Sequence, residues 1–209
     1  MVVQVAAAAL SQFDVMHASG QCDVIKPPVL PAVAGNEGIG RLADGRRVYF
    51  AGALPPFGSM AQGSLVPASN FIEVPDGVDD ATAAALGNSG LAAWLPLSAR
   101  AHIAPGESVL IIGGATGVVG RLAVQAARLL GAGRVIAAGR DRGDDERARE
   151  LGADAVVALP DNSDLIGVYR SSVEAPVDVI VDYVWELPWK LHVLVACGFD
   201  RLDTVVRQA

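Results

Sequence analysis

Apolar residues gather in short runs at 108–112, 134–138, 155–159 and 177–181, separated by stretches with helical spacing. Runs of this length, bounded by polar or glycine-bearing segments, predict strands buried on both faces. Their alternation with helices predicts βαβ units and a parallel sheet. Over 118–130 the spacing predicts a helix with Leu122, Val124, Ala126, Ala127, Leu129 and Leu130 largely along one side, and Arg121, Gln125 and Arg128 mostly on the other. Four strands are expected, fewer than the six or so of a full dinucleotide sheet, so the fourth should present an open apolar edge or need a partner chain.

The first third reads differently. Pro27, Pro28, Pro31, Pro55, Pro56, Pro67 and Pro75 break it into short strand-like runs such as "RRVYFAG" and "GSLVPAS", predicting a small β-rich unit with long connections. The alanine-rich segment 79–100 then predicts a connecting helix, with Asp79 and Asp80 suited to its N-terminus. The expected division is 1–77 and 78–209. "MVVQVAAAAL" reads as a strand, since it has no basic leader and no small-residue cleavage site. No apolar run reaches the ~18 residues of a membrane span, so no membrane partner is expected.

Composition narrows the class. A chain of 209 residues, 52% hydrophobic and 19% charged, can bury a sizeable core. Its net charge of −7, and the mixed signs of "RDRGDDERARE", argue against nucleic acid as a partner. Cys22 and Cys197 lie far apart and form no metal-type pair, which fits a reducing cytoplasm.

The densest chemical signal is "VLIIGGATGVVGRLAVQAARLLGAGRVIAAGRDR". Gly114, Gly117 and Gly120 follow a GxxGxxG spacing between a predicted strand and a predicted helix. There the backbone can approach a pyrophosphate and the helix N-terminus favours its charge. Gly117 is expected to permit the close approach, and Gly120 the tight packing of helix on strand. The second strand ends at Gly139, followed by Arg140, Asp141 and Arg142, where an acidic residue would serve the ribose of NAD. Gly139 leaves room and two guanidiniums suit a 2′-phosphate, so NADP is the expected cofactor. The competing reading leaves both arginines in solvent and gives the ribose hydroxyl to Asp141.

Other chemistries fail on spacing. No tyrosine is followed four residues later by lysine, as a short-chain dehydrogenase would require. "GNSGL" brings its second glycine one residue too early for a serine-hydrolase elbow. His17, His102 and His192 are isolated, so no metal site is expected from them.

The order of motifs resembles the medium-chain dehydrogenase/reductase superfamily, specifically its zinc-independent quinone oxidoreductase branch. The resemblance runs from about Val3 to Trp185 and rests on "AAALSQFDVMHASG", "PAVAGNEGIGRL", "GRRVYFAG", "VPDGVDDATAAALGNSGLAAW", "ARELGADAVVAL" and "VDVIVDY" together with the glycine segment. It implies an α/β fold: an incomplete GroES-like β domain, then an incomplete Rossmann-type parallel sheet, with the active site in the cleft between them. It also implies a metal-free, NADPH-dependent oxidoreductase acting on a quinone or related α,β-unsaturated carbonyl, as a homo-oligomer.

Zinc-dependent relatives carry cysteine where this chain has Ser11 and histidine where it has Asn36, although Glu37 is retained; neither replacement is a good zinc ligand. By the resemblance, Gly114, Ala115, Thr116, Gly117, Val118 and Val119, with Gly139, Arg140 and Arg142, would hold the cofactor's phosphates. Ser11, Asp14, Asn36, Asn88 and Ser89 would lie near the nicotinamide or substrate, Asn36, Asn88 and Ser89 among the cofactor contacts. Tyr49 and Ser11 are the candidate catalytic proton donors, and the proton can also come from solvent. The chain is shorter than the family pattern at both ends, and 186–209 fits it only in part. Two alternatives therefore stay open: a non-catalytic dinucleotide binder, and a zinc-type alcohol dehydrogenase-like enzyme recruiting metal through Glu37 and Asp14.

Overall fold

The computed structural model describes residues 1–21, 26–113, 115–139, 145–158, 177–184 and 205–207. Packing divides the chain into two compact units, Met1–Asn88 and Ser89–Ala209.

The first unit is an antiparallel sheet of β1 (Val2–Ala8), β2 (Glu37–Arg41), β3 (Arg47–Ala51), β4 (Gly63–Leu65) and β5 (Phe71–Glu73), in the order β4-β1-β2-β3-β5. Period-two alternation is plain in β3: Val48 and Phe50 are fully buried, and Arg47, Tyr49 and Ala51 on the other face are half-buried. Val3, Leu42, Val48, Phe50 and Val66 form the core on that inner side. Among the described residues between β1 and β2 stands one short helix, α1 (Gln12–Ser19).

The predicted connecting helix is α2 (Asp80–Leu95), which continues into a π-helical turn at Pro96–Arg100. Asp79 caps it, accepting from the Thr82 backbone N–H at 2.9 Å and the Thr82 hydroxyl at 2.7 Å.

The second unit alternates β6 (Ser108–Ile112), α3 (Val118–Leu129), β7 (Arg134–Gly139), α4 (Asp145–Glu150), β8 (Ala155–Ala158), β9 (Val179–Asp182) and β10 (Val205–Arg207). Its five strands are all parallel, in the order β10-β9-β6-β7-β8. The four expected strands are present. The expected open edge on the fourth is corrected, because β10 pairs with β9, Val205 beside Ile180 and Val206 beside Val181. A three-residue strand near the chain's end is too short to leave a periodic signal.

The face of α3 follows expectation at Val124, Ala126 and Ala127, which are buried, and at Leu122 and Leu130, which pack partly against the core. It departs at Leu129, which is 79% exposed, and at Gly120 and Ala123, which are buried as well. The spacing 120, 123, 124, 127 is the true stripe. Its side chains are small because the helix lies close against Val109, Ile111, Val135 and Ala137 of the sheet. Ranking positions by hydrophobicity picks out leucines; a close helix-to-sheet contact selects alanine and glycine. Among the described residues no helix is long and apolar enough to cross a membrane.

Candidate functional site

In the second unit the glycine segment sits at the C-terminal ends of β6 and β7. Gly113 ends the strand with φ 88°, and its N–H donates to the Ala138 carbonyl at 2.7 Å, so the turn is tied to β7. Ala115 is buried, Thr116 is half-buried, and Gly117 is the N-cap of α3 with no side chain to cap it. Val118 is 67% exposed, whereas Val119 packs partly against the core. By helix geometry the first-turn N–H groups lack a carbonyl one turn back and point out of the helix end.

Two glycines here are glycine for different reasons. A Cβ on Gly139 would stand 2.8 Å from the Ala115 Cβ and 3.2 Å from Thr116 Cγ2, so the end of β7 must be bare for the turn to lie over it. The space that Gly139 leaves is thus filled by Ala115 and Thr116. A Cβ on Gly117 would meet, among the described residues, only the Gly113 carbonyl oxygen at 3.5 Å, an ordinary contact, and its φ of −82° suits any residue. Packing among the described residues does not require glycine at 117. Gly114, Arg140 and Arg142 lie outside the described residues, as does Asp141.

In the first unit the predicted polar residues meet in two small networks. Ser11 caps α1 in a capping box with Asp14, whose Oδ2 accepts the Ser11 N–H at 2.8 Å and the Ser11 hydroxyl at 2.7 Å. The other oxygen of this buried carboxylate accepts the Asn36 N–H at 3.0 Å, so Ser11 and Asn36 are brought together through Asp14.

The second network centres on Glu37, also buried. Its Oε2 accepts the Tyr49 hydroxyl and, at 3.0 Å, the Asn88 backbone N–H. A Cβ on Gly87 would collide with the Tyr49 ring, so the bare backbone of α2 is what admits the ring. Burial first, then the Glu37 carboxylate, pushes the Tyr49 phenol well above its ordinary value. A phenol in that state holds its proton, and its donor direction is already taken by Glu37. Asn88 reaches this network by its backbone while its residue surface is exposed; Ser89 follows, half-buried, on the same helix. The S-x-x-D spacing from Ser11 is the sequence signal for the first network. Glu37 gave none beyond its family position.

A cavity of about 760 Å³ opens in the same unit, and Asn36 lines it. Phe13 and His17 form one wall, their rings stacked with centroids 5.9 Å apart. Pro27, Pro28, Pro31, Pro55, Pro56 and Lys26 also line it. Sequence reasoning missed Phe13 and Lys26 and set His17 aside, because only the fold brings α1 and two proline-rich connections to one place. Among the described residues no group of three or more His, Cys, Asp or Glu side chains is placed to hold a metal.

This architecture has known counterparts. Residues 118–190 match the family described as zinc-binding dehydrogenase. A mycobacterial quinone oxidoreductase superposes with a TM-score of 0.75 at 29% identity, over 88% of this chain and 58% of that one. The chain belongs to the medium-chain dehydrogenase/reductase superfamily, in its quinone oxidoreductase-like branch. The quinone oxidoreductase of Thermus thermophilus, solved also in complex with NADPH, matches this superfamily member with a TM-score of 0.70 at 28% identity, over 88% of this chain and 57% of that one. The L-idonate 5-dehydrogenase of Vitis vinifera is 31% identical over 146 residues, 66% of this chain and 38% of that protein. The chain thus spans less than two thirds of the length of these relatives. Its antiparallel unit is the GroES-like domain of the superfamily and its parallel sheet the Rossmann-type domain, both incomplete beside the relatives.

Proposed function

We propose that the protein is an NADPH-dependent oxidoreductase that delivers hydride to a quinone or related α,β-unsaturated carbonyl without a metal. The observation that carries this is Gly117, a bare, exposed helix N-cap at the end of a buried parallel strand, in a place where packing among the described residues asks for no glycine. The residues fit a dinucleotide. Backbone N–H groups of the first turn of α3, at Val118 and Val119, would hold the pyrophosphate, with Ala115 and Thr116 shaping the turn. Arg140 and Arg142 would take the ribose 2′-phosphate, on the strength of the sequence, with residues 78–209 as the dinucleotide-binding domain. The NADPH complex of the Thermus thermophilus relative supports the choice of cofactor.

When bound, the cofactor supplies the hydride. The chain binds and orients the reactants and keeps water from the reacting carbon. Ser11, Asn36, Asn88 and Ser89 are assigned to the nicotinamide and substrate. Ser11 and Tyr49 both donate their hydroxyl protons to buried carboxylates, which favours solvent as the proton source. The donor set suits zinc poorly: a serine hydroxyl and an asparagine, beside the Asp14 and Glu37 carboxylates that already accept protein hydrogen bonds.

The test is a titration of the purified protein with NADPH and with NADH, read by nicotinamide fluorescence. Much tighter binding of NADPH is expected. Equal affinities would return the ribose to Asp141, and no response to either would overturn the dinucleotide reading. Turnover of a simple quinone then separates an enzyme from a protein that only binds.

A further inference from the structure

We propose that the cavity of the first unit binds a small molecule that joins a flat apolar body to an anionic group, with the Lys26 ammonium supplying the opposite charge. The walls argue for the apolar body. Phe13 and His17 present stacked rings with planes 24° apart, and the lining prolines are apolar and nearly fixed in conformation. A cavity with few rotamers to freeze loses little entropy when a rigid planar ligand enters. Its volume of about 760 Å³ admits a molecule of two or three fused rings.

The lone charge argues for the anion. Among the described residues Lys26 makes no ion pair, and it is the only charged side chain that lines the cavity. Its backbone is held in place from α1: His17 Nε2 lies 3.2 Å from the Lys26 carbonyl oxygen, which can only accept, so Nε2 is the protonated nitrogen. An unpaired lysine among apolar lining residues, in a chain of net charge −7, is a local reversal of sign. It selects a carboxylate or sulfonate over a neutral molecule of the same shape. The assignment leans on the reductase reading only in taking this ligand as the hydride acceptor, because binding itself needs no cofactor.

The experiment compares 2-naphthoate with its neutral isostere 2-naphthamide on the whole chain, without cofactor, by isothermal titration calorimetry. Expected are binding of both and a preference of about fivefold for naphthoate, in the range of a partly exposed ion pair. Lys26→Met should abolish the preference while leaving naphthamide affinity unchanged, and Lys26→Arg should restore it. No binding of either probe, equal affinities in the parent protein, or a preference that survives Lys26→Met would overturn the proposal. A failure here leaves the NADPH titration unaffected, and a failure of that titration leaves this comparison readable.

Discussion

The two units build their candidate residues in opposite ways. In the first, polar side chains satisfy one another: Asp14 gathers donors from Ser11 and Asn36, and Glu37 from Tyr49 and Asn88. In the second, the turn at Ala115–Gly117 offers backbone and little else, and its cap residue has no side chain at all. Residue identity is therefore dictated from inside the protein in one unit and, on the proposed function, by an external ligand in the other. Substitutions should register as lost stability in the first and as lost binding in the second.

The sharpest break of that contrast is Glu37→Ala, which strips the partner from the Tyr49 hydroxyl and the Asn88 N–H together. A loss of about 2–4 kcal/mol is expected in urea unfolding, with Glu37→Gln recovering part of it because the amide oxygen still accepts. A change near zero would mean that water replaces the carboxylate and that the network is ornamental.

Gly139→Val comes next and should cross the divide. Forcing a side chain against Ala115 and Thr116 is expected to cost about 1–3 kcal/mol by overpacking, and to displace the turn, so stability and NADPH affinity fall together. Gly117→Ala is the clean counterpart: stability within about 0.5 kcal/mol of the parent, yet NADPH affinity lower by about tenfold, because the methyl group stands where the phosphate approaches. If Gly117→Ala destabilised the fold and spared binding, the assignment of this glycine to a ligand would fail.

The smallest effect concerns acid. Burial opposes ionisation of Asp154, but the Val135 N–H and the Arg128 guanidinium outweigh it and hold the carboxyl below its ordinary value. A carboxyl depressed in the folded state adds stability at pH values above its unfolded pKa, and that stability drains away as pH falls through the folded value. The Asp154 side chain is 45% exposed, so solvent screening limits the contribution to about 0.5 kcal/mol. Urea midpoints taken from pH 6 down to pH 3 should fall slightly less for Asp154→Asn than for the parent protein.

Much of this molecule could be read from sequence wherever one rule governed one segment. Continuous apolar runs located β6, β7, β8 and β9, and the Asp79 cap marked the start of α2. Where two segments had to meet, local rules were insufficient. Leu129 looked like core and faces solvent, because the distance from α3 to the sheet, a tertiary quantity, chose alanines. Gly139 looked like space for a ligand and is filled by Ala115. Tyr49 was singled out as a proton donor on residue type; its engagement with Glu37 depends on the pairing of β2 with β3 and on a missing Cβ at Gly87. The cavity lined by Phe13, His17 and Lys26 draws on segments that no spacing rule connects.

Arg128 sets the behaviour of α3 as a whole. Near the helix's C-terminal end its guanidinium binds the carbonyls of Gly152 at 2.7 Å and Ala132 at 3.1 Å and pairs with Asp154, while the opposite end begins at a glycine with no cap. One helix thus has a riveted end and a frayed one. In hydrogen–deuterium exchange its amides should form a gradient, slow near Ala127 and fast near Val118. A dinucleotide settling on the frayed end should flatten that gradient from the fast side, a signature that reports occupancy without any turnover.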